Sequence, residues 1–357
     1  DLRDRDINKT TVSNSLGGNH RFNKVSINWL GSTSISLNNM PFQNTARFIE
    51  LGAFENGLTD EVPFQGVPSF ARNNLDETFF QFATFETRDV SDFNLVGEVD
   101  AKIDYSLGRN FEGYLKFGGK VSSKNRTLDR DQLRTPFGAI DEIGQDNPDQ
   151  FELVNNSFVA FSNFVDEDFS APNFLFGNFG FEFGPGLDDT ALNNFRKQFF
   201  DQYEVNRQTE LSDYDAGEDI YAAFVMTELN IGSNFMILPG VRFENTQNFY
   251  EGKFGRLREQ LGRRGTISDT TGGQEYSELL PMIQARYRIG DGFDIRASTA
   301  RTLNRPDFFN LVPFENRNDS EFEISRGNPN LPHATAWNYD FFLSYYKSNI
   351  GFLSVGL

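Results

Sequence analysis

The chain has 357 residues, with 33 Lys and Arg against 51 Asp and Glu, so its formal net charge is −18. It contains no Cys, two His and 40 Phe, and hydrophobic residues make up 38% of it. Without Cys there is no disulfide, thiolate ligand or Cys nucleophile, and so acidic a chain lacks the clustered Lys and Arg that nucleic acids require. The longest apolar run, Ile220–Met226, is far shorter than the roughly 20 residues of a transmembrane helix, but membranes are also crossed by alternating strands of roughly 9–11 residues.

Apolar and polar residues alternate with a period of two through about ten segments, which predicts β-strands. In the clearest segment, Phe93–Leu107, the odd positions are nearly all apolar and the even positions are mostly polar or charged. In chain order the segments are roughly 9–21, 25–35, 93–107, 111–122, 216–231, 235–244, 281–289, 293–298, 337–345 and a final stub at 350–357.

The connections between these segments alternate in length. Short turns rich in Gly, Asn and Asp lie at 22–24, 108–110, 232–234, 290–292 and 347–349, and such turns are strong hairpin signals. Long loops are expected near 37–92, 128–215, 251–275 and 305–334. This rhythm is typical of an up-and-down barrel across a membrane, which has short periplasmic turns and long outer loops.

A soluble β-sandwich or lipocalin-like barrel would also alternate. The predicted strands, however, are about 12–16 residues long against roughly 5–6 in soluble sheets. One of their faces is charged, and aromatic residues stand at their ends, as in interfacial girdles. The prediction is therefore an all-β transmembrane antiparallel up-and-down β-barrel segment. The charged first residues contain no signal peptide and the last ones are apolar, so we expect a piece of a longer chain.

Four stretches near the end of the chain resemble TonB-dependent outer-membrane receptors. They are Leu280–Tyr287, Ile295–Phe308, Ile324–Leu331 and Ala336–Asp340, which follow the family's LPS(L/M), T(L/I)ARP and GNP patterns. The chain departs from the family at Ala300-Arg301, where Ser-Lys is frequent, at Asn304, where Ala is usual, and at His333, where Glu is common.

The resemblance implies a barrel of 22 strands around an N-terminal plug, of which residues 1–357 would be one middle part without the plug. It implies an energy-coupled transporter in the outer membrane of a Gram-negative bacterium that binds a scarce nutrient through its outer loops. The partners it implies are outer-membrane lipid, the plug, the TonB complex and a small nutrient ligand, and it leaves room for a surface lipoprotein. The alternatives are a passive porin or adhesin-like barrel without energy coupling, and a soluble β-rich binding protein.

The predicted loop 128–215 is rich in Phe interleaved with Asn, Asp and Gly. Exposed apolar patches usually mark binding sites, but loops of this length also need small cores of their own. Both interpretations stay open. On the first, the candidate ligand-binding residues are Phe174, Phe176, Phe179, Phe181 and Phe183. Near-helical spacing of apolar residues predicts a short helix within 188–204.

Charged residues on the polar faces of the strands predict a barrel lumen. The candidate lumen- or plug-facing residues are Arg242, Arg286, Arg296 and Glu244. They could form a mixed-charge wall against a plug or steer an anionic substrate, and the presence of both signs on neighbouring strands favours the wall.

The sequence predicts neither an enzyme nor a cofactor or metal site. Acidic clusters at 166–168, 188–189 and 213–219 match no EF-hand spacing, so solvated loop charge is favoured over Ca²⁺ binding. The two His are distant in sequence, and no nucleophile-elbow motif is present. The turn at Arg326–Pro329 is better explained as a tight return than as a phosphate cradle.

Overall fold

A computed structural model describes residues 1–53, 59, 62–63, 65, 67, 70, 72, 74–108, 110–169, 185–256, 267–290, 292–318, 323–347 and 351–357. Within these ranges the main sheet has thirteen strands. Three short strands lie off its main path, namely Glu204–Val205, Glu315–Asn318 and Glu323–Arg326, and Glu315–Asn318 pairs in parallel with the strand Phe235–Arg256. The other ten are antiparallel, and each pairs with the next one along the path. The strands are β1 Leu2–Phe22, β2 Val25–Glu50, β3 Thr78–Ser106, β4 Phe111–Arg134, β5 Tyr214–Ile231, β6 Phe235–Arg256, β7 Ile267–Ile289, β8 Phe293–Asn304, β9 Ala334–Lys347 and β10 Gly351–Gly356. The helices are α1 Ala139–Asp146, α2 Asp189–Gln198 and α3 Phe308–Leu311.

This sheet confirms the predicted up-and-down antiparallel fold. The hairpin turns need backbone that Gly and Asn adopt readily: φ is +63° at Gly232 and +56° at Asn23. Several strands are longer than the predicted 12–16 residues, and β3 has 29. The apolar–polar alternation fades where both faces of a strand are polar, as in residues 123–127, and where both carry apolar residues, as at Phe79 and Phe80. Periodicity therefore detects only the part of each strand whose two faces differ.

The residues divide into two compact units. The first comprises Asp1–Asn8, Asn39–Asp89 and Arg130–Glu210, and the second comprises Lys9–Asn38, Val90–Asp129 and Leu211–Leu357. Besides strand segments, the first unit contains α1, α2 and several short pairs of strands. The second unit contains most of β5–β10 and α3.

The first unit has an aromatic core of its own. Phe80 is fully buried and Phe164 is 1% exposed, with their ring centroids 5.1 Å apart. Phe48 packs 5.1 Å from Phe80, and Phe195 of α2 lies 5.1 Å from Phe80. For these described residues the structure therefore favours loop packing over a ligand surface. Phe174, Phe176, Phe179, Phe181 and Phe183 lie outside the described residues.

The predicted short helix is confirmed as α2. Asp188 caps its N-terminus, because the side-chain carboxylate accepts hydrogen bonds from the backbone N–H groups of Thr190 and Ala191 at 2.8 and 3.1 Å. Leu192 and Phe195 are its buried residues and attach it to the aromatic core. Basic residues in its last turn complement the helix dipole.

In the second unit the strand register gives the sheet two distinct faces. Residues directly opposite one another share a face, as Val225 does with Val241 and Phe117. The apolar face, defined by residues such as Tyr221, Val225 and Phe243, leaves these three side chains 43–46% exposed. The other face, which we call the charged face, carries Lys116 and Arg242. Of the described helices, none is long and apolar enough to cross a bilayer.

Candidate functional site on the charged face of the sheet

The charged face carries a ladder of ion pairs on β3 and β4. Lys116 Nζ lies 3.2 Å from Asp100 Oδ1, and the Nζ of Lys102 lies 3.3 Å from Asp104 Oδ1. Asp100 also accepts a 2.9 Å hydrogen bond from the Asn28 side-chain amide. Cations and anions are matched nearly one to one in these pairs, so this part of the face carries little net charge.

A second cluster joins β5, β6 and the chain just after β8. Arg242 Nε donates to Glu244 Oε1 at 2.6 Å, and Arg305 Nη2 donates to the other oxygen of Glu244 at 2.7 Å. The same Nη2 donates to Thr246 Oγ1 at 3.0 Å, while Arg305 Nε lies 3.5 Å from Glu218 Oε2. One guanidinium thus ties two strands together and anchors the segment that begins at residue 305.

Glu218 lies near the start of β5, on the charged face, directly opposite Lys124 of β4. Its side chain is only 15% exposed, and Arg305 Nε lies 3.5 Å from its Oε2. A carboxylate that is largely removed from water is stabilised by such a cationic neighbour. The cluster therefore depends on Arg305 staying in place.

Two described stretches, residues 305–318 and 323–331, pack against the charged face, and we call them the strap. Phe308, Leu311 and Val312 are buried together with Tyr250 of β6, which is fully buried. Lys124 Nζ lies 5.0 Å from the centroid of the Phe308 ring, within cation–π range. The strap therefore has both an apolar core and the ionic anchor at Arg305.

Close backbone contact within the strap requires glycine. A Cβ placed on Gly327 would lie 1.8 Å from the carbonyl oxygen of Val312. Backbone atoms cannot move aside as a flexible side-chain end can, so Gly327 allows two parts of the strap to touch.

Replacing Gly327 with alanine is expected to destabilise the strap by about 2 kcal/mol or more, because the added methyl group overlaps the backbone. The measurement is the free energy of unfolding of the refolded full-length protein in urea. Gly97→Ala is the matched control, since a Cβ at Gly97 would meet nothing within 4 Å. Equal effects of the two substitutions would contradict the close-contact role of Gly327.

A cavity of about 430 Å³ lies on the charged face beside this cluster. In the strand register Gly240 lies between Met226 on one neighbouring strand and Met282 on the other. Because Gly240 has no side chain, a slot is left between the two thioether side chains. Arg242, Glu244 and Arg305 stand in the same cavity wall. This part of the face is apolar at its centre, which the predicted mixed-charge wall did not include.

A third cluster contains one of the two histidines. His333 Nε2 lies 2.7 Å from Glu278 Oε1, and Arg301 Nη1 lies 2.7 Å from Glu278 Oε2. The Tyr276 ring stacks on His333 with centroids 4.2 Å apart. Glu278 is directly opposite Glu244 in the register, and each of these two like charges is paired with a different arginine, Arg301 and Arg305 respectively.

The fourth cluster lies near the turn between β7 and β8. Arg286 is directly opposite Arg296, and both bind Asp294, which Arg296 Nε contacts at 2.8 Å. Arg288 Nε is 4.0 Å from the same carboxylate.

The structure thus places all four predicted lumen residues on the charged face. It joins Arg242 to Glu244 directly, and Arg286 to Arg296 through Asp294, but the two pairs belong to separate clusters. Sequence reasoning missed the anchor Arg305 and its partner Glu218. The signal for Arg305 was available, because it is the Arg of the Arg-Pro pair in the T(L/I)ARP pattern.

A sequence model of the family described as TonB dependent receptor-like, beta-barrel matches residues 10–357. The chain belongs to this family. Its members are receptors of the Gram-negative outer membrane, and family membership confirms the resemblance seen in the four terminal stretches. No curated protein sequence matches the chain significantly.

Solved structures share the receptor fold at low sequence identity. The ferric-catecholate import receptor Fiu from E. coli K12, in its closed form, has a TM-score of 0.57 at 11% identity, over 99% of this chain and 40% of its own. The siderophore receptor PiuA from Acinetobacter baumannii has a TM-score of 0.52 at 9% identity, with the same shares of the two chains. The chain thus spans about two fifths of the length of these receptors.

Proposed function

We propose that this chain is part of the barrel wall of an energy-coupled importer in the outer membrane of a Gram-negative bacterium. The observation that carries the proposal is the family match over residues 10–357, together with a sheet that has an apolar face and a charged face. In this proposal the apolar face meets lipid, and the charged face meets water and the plug.

The proposal assigns ligand recognition to the long connections after β2, β4, β6 and β8, which would lie outside the cell. Functional residues of a rigid scaffold are disproportionately found on its loops. The candidate contacts Phe174, Phe176, Phe179, Phe181 and Phe183 remain part of this proposal on the basis of their sequence pattern.

The transported ligand would be a scarce nutrient that is too large or too dilute for passive entry. Two structural neighbours are named as a ferric-catecholate import receptor and a siderophore receptor, which supports testing iron chelates first. Oligosaccharides, peptides and cobalamin-like molecules are the other classes. No bond of the ligand is made or broken in this mechanism, because the energy is used to move the plug.

Uptake by cells tests the proposal. A strain lacking the full-length gene is expected to lose uptake of one radiolabelled nutrient class at nanomolar concentration, and the full-length gene should restore it. A protonophore or loss of TonB should abolish the restored uptake, since the outer membrane has no energy source of its own. Restored uptake that is insensitive to both treatments and grows linearly with concentration would instead support the passive porin.

A further inference from the structure

The apolar face of the second unit is not flat, because a groove of about 1030 Å³ crosses it from β1 to β6. Gly31, Gly97 and Gly119, which come from three neighbouring strands, line this groove. A Cβ placed on Gly97 would meet nothing within 4 Å, and one on Gly31 would reach only the carbonyl oxygen of Leu16, at 4.0 Å. The glycines therefore leave open space in a surface that side chains would otherwise fill.

Hydrocarbon side chains form the walls of the groove. Leu95, Val121 and Phe243 line it and are 46–50% exposed. In the register Ala223 is opposite Gly119 on one side and Phe243 on the other, so a small side chain continues the depression from β4 to β5. The groove thus crosses several strands and is apolar along its length.

The two charged residues that border the groove point away from it. Glu98 and Lys120 belong to the strands beneath it, but successive residues of a strand point to opposite faces of a sheet. Lys120 Nζ lies 4.0 Å from Glu98 Oε2 on the charged face. The groove therefore offers an occupant apolar contacts and no charge.

The position of the groove along the strands gives its depth in a membrane. Tyr221 lies eleven residues from Gly232 in the short turn, which is roughly 37 Å along the strand. Strands tilted by about 35–45° rise roughly 26–30 Å over that length, close to the roughly 25 Å height of the apolar band of such barrels. The face becomes polar in the same row, where Asn245 is opposite Tyr221 and Ser277 is opposite Asn245. The groove therefore ends at the loop-side boundary of the apolar band.

A hydrocarbon chain is the occupant that suits this position. An empty depression loses dispersion contacts with its surroundings, and acyl chains are the medium around the apolar face of a membrane barrel. A folded protein partner would need a ridge of matching shape, whereas a flexible chain adapts to the depression. A chain in the groove meets protein on its floor and on both sides, so it should be held longer than a chain on the flat part of the face.

We propose that the groove holds an acyl chain of one lipopolysaccharide molecule. The inference rests on the orientation given in the proposed function, which puts the long loops outside the cell. The loop-side half of the apolar band then lies in the external leaflet, which lipopolysaccharide forms in this membrane. The hydroxyl of Tyr221 would lie at the level of the sugar and ester groups, where tyrosine has both an apolar and a polar environment.

Native mass spectrometry of the full-length receptor, released from outer membranes in a mild detergent, tests this inference. The unchanged protein is expected to retain one lipopolysaccharide molecule. Gly97→Phe fills the groove, and the strand should tolerate it because a Cβ at Gly97 meets nothing within 4 Å. The fraction of receptor with bound lipopolysaccharide should fall about tenfold, which corresponds to roughly 1.4 kcal/mol. Gly31→Leu, a second filling variant, should lower it in the same direction.

The matched control is Val225→Phe, which adds an aromatic ring to the same apolar face outside the groove. Val225 is 43% exposed, so the substitution should disturb neither the fold nor the bound lipid and should leave the bound fraction within about twofold. Circular dichroism checks that each variant keeps its sheet.

Three results would overturn the inference: no lipopolysaccharide on the unchanged protein, a phospholipid in its place, or equal bound fractions in Gly97→Phe and Val225→Phe. A receptor dimer that Gly97→Phe dissociates would assign the groove to a second copy of the chain and would overturn it as well. Nutrient uptake separates these results from the proposed function. Energised uptake leaves the proposed function standing whatever lipid is found, and uptake without energy coupling contradicts it even if lipopolysaccharide is bound.

Discussion

The Phe80→Ala variant is expected to lose about 3–5 kcal/mol from the free energy of unfolding of the first unit, which is the usual effect of removing a buried aromatic ring. Phe80 is fully buried and touches Phe48, Phe164 and Phe195. Its loss would open a cavity among rings that come from β2, β3, a 3₁₀ turn and α2. The whole unit should therefore loosen, not only one loop.

Limited proteolysis of the full-length protein in detergent measures this effect. Cleavage within residues 135–213 should be faster in Phe80→Ala than in the unchanged protein by about the factor that the lost stability predicts. Phe137→Ala is the matched control, since Phe137 is 94% exposed and its removal should cost almost nothing. A cleavage rate for Phe80→Ala equal to that of the control would show that the aromatic cluster contributes little to the fold.

Arg305→Ala is expected to be the most damaging substitution on the charged face, at about 2–4 kcal/mol. It would leave Glu218 and Glu244, whose side chains are only 15% and 11% exposed, without their shared partner. Breaking a partly buried pair from one side costs more than the pair contributes, because the remaining charge is poorly solvated. The strap should detach from the face at the same time.

The unfolding midpoint in urea, combined with hydrogen exchange of the strap, measures both consequences. Adding Glu218→Gln to Arg305→Ala should recover part of the loss, since one uncompensated carboxylate is then gone. Arg21→Gln is the control, because Arg21 is 71% exposed and 4.0 Å from Asp104, and exposed pairs contribute only about 0–1 kcal/mol. Equal losses for Arg305→Ala and Arg21→Gln would contradict the anchoring role.

The strands and turns of the second unit could be predicted because both depend on local chemistry. Alternation at Phe93–Leu107 reports a sheet with unlike faces, and Gly232 with Asn23 supplies the backbone that hairpins need. The extension of β2 to Glu50 and the start of β3 at Thr78 were missed. At the start of β3 the adjacent residues Phe79 and Phe80 are both buried, so the two faces do not differ there. In β2 the apolar residues shift from odd to even positions after Leu37, as at Met40 and Ala46, so the alternation of residues 25–35 does not continue.

The candidate site was predictable only in part for a different reason. Periodicity placed Arg242 and Glu244 on one face, but it cannot show that Arg305, sixty-one residues after Glu244, returns to the same carboxylate. That contact depends on the path of the strap, which Gly327 and Val312 fix through long-range packing. Whether a loop phenylalanine packs in a core or lies at the surface likewise depends on partners such as Phe48 and Phe195, which are distant in sequence.

The pairing of each strand with its neighbour in the chain has a consequence for how such receptors change size. Each hairpin is a self-contained addition: β7 and β8 pair with each other through a turn of a few residues, and each meets the rest of the sheet along one remaining edge. Duplicating or deleting a hairpin would preserve the alternation of faces on both sides. Two strands are thus the natural increment of growth, and this explains the even strand numbers of bacterial barrels.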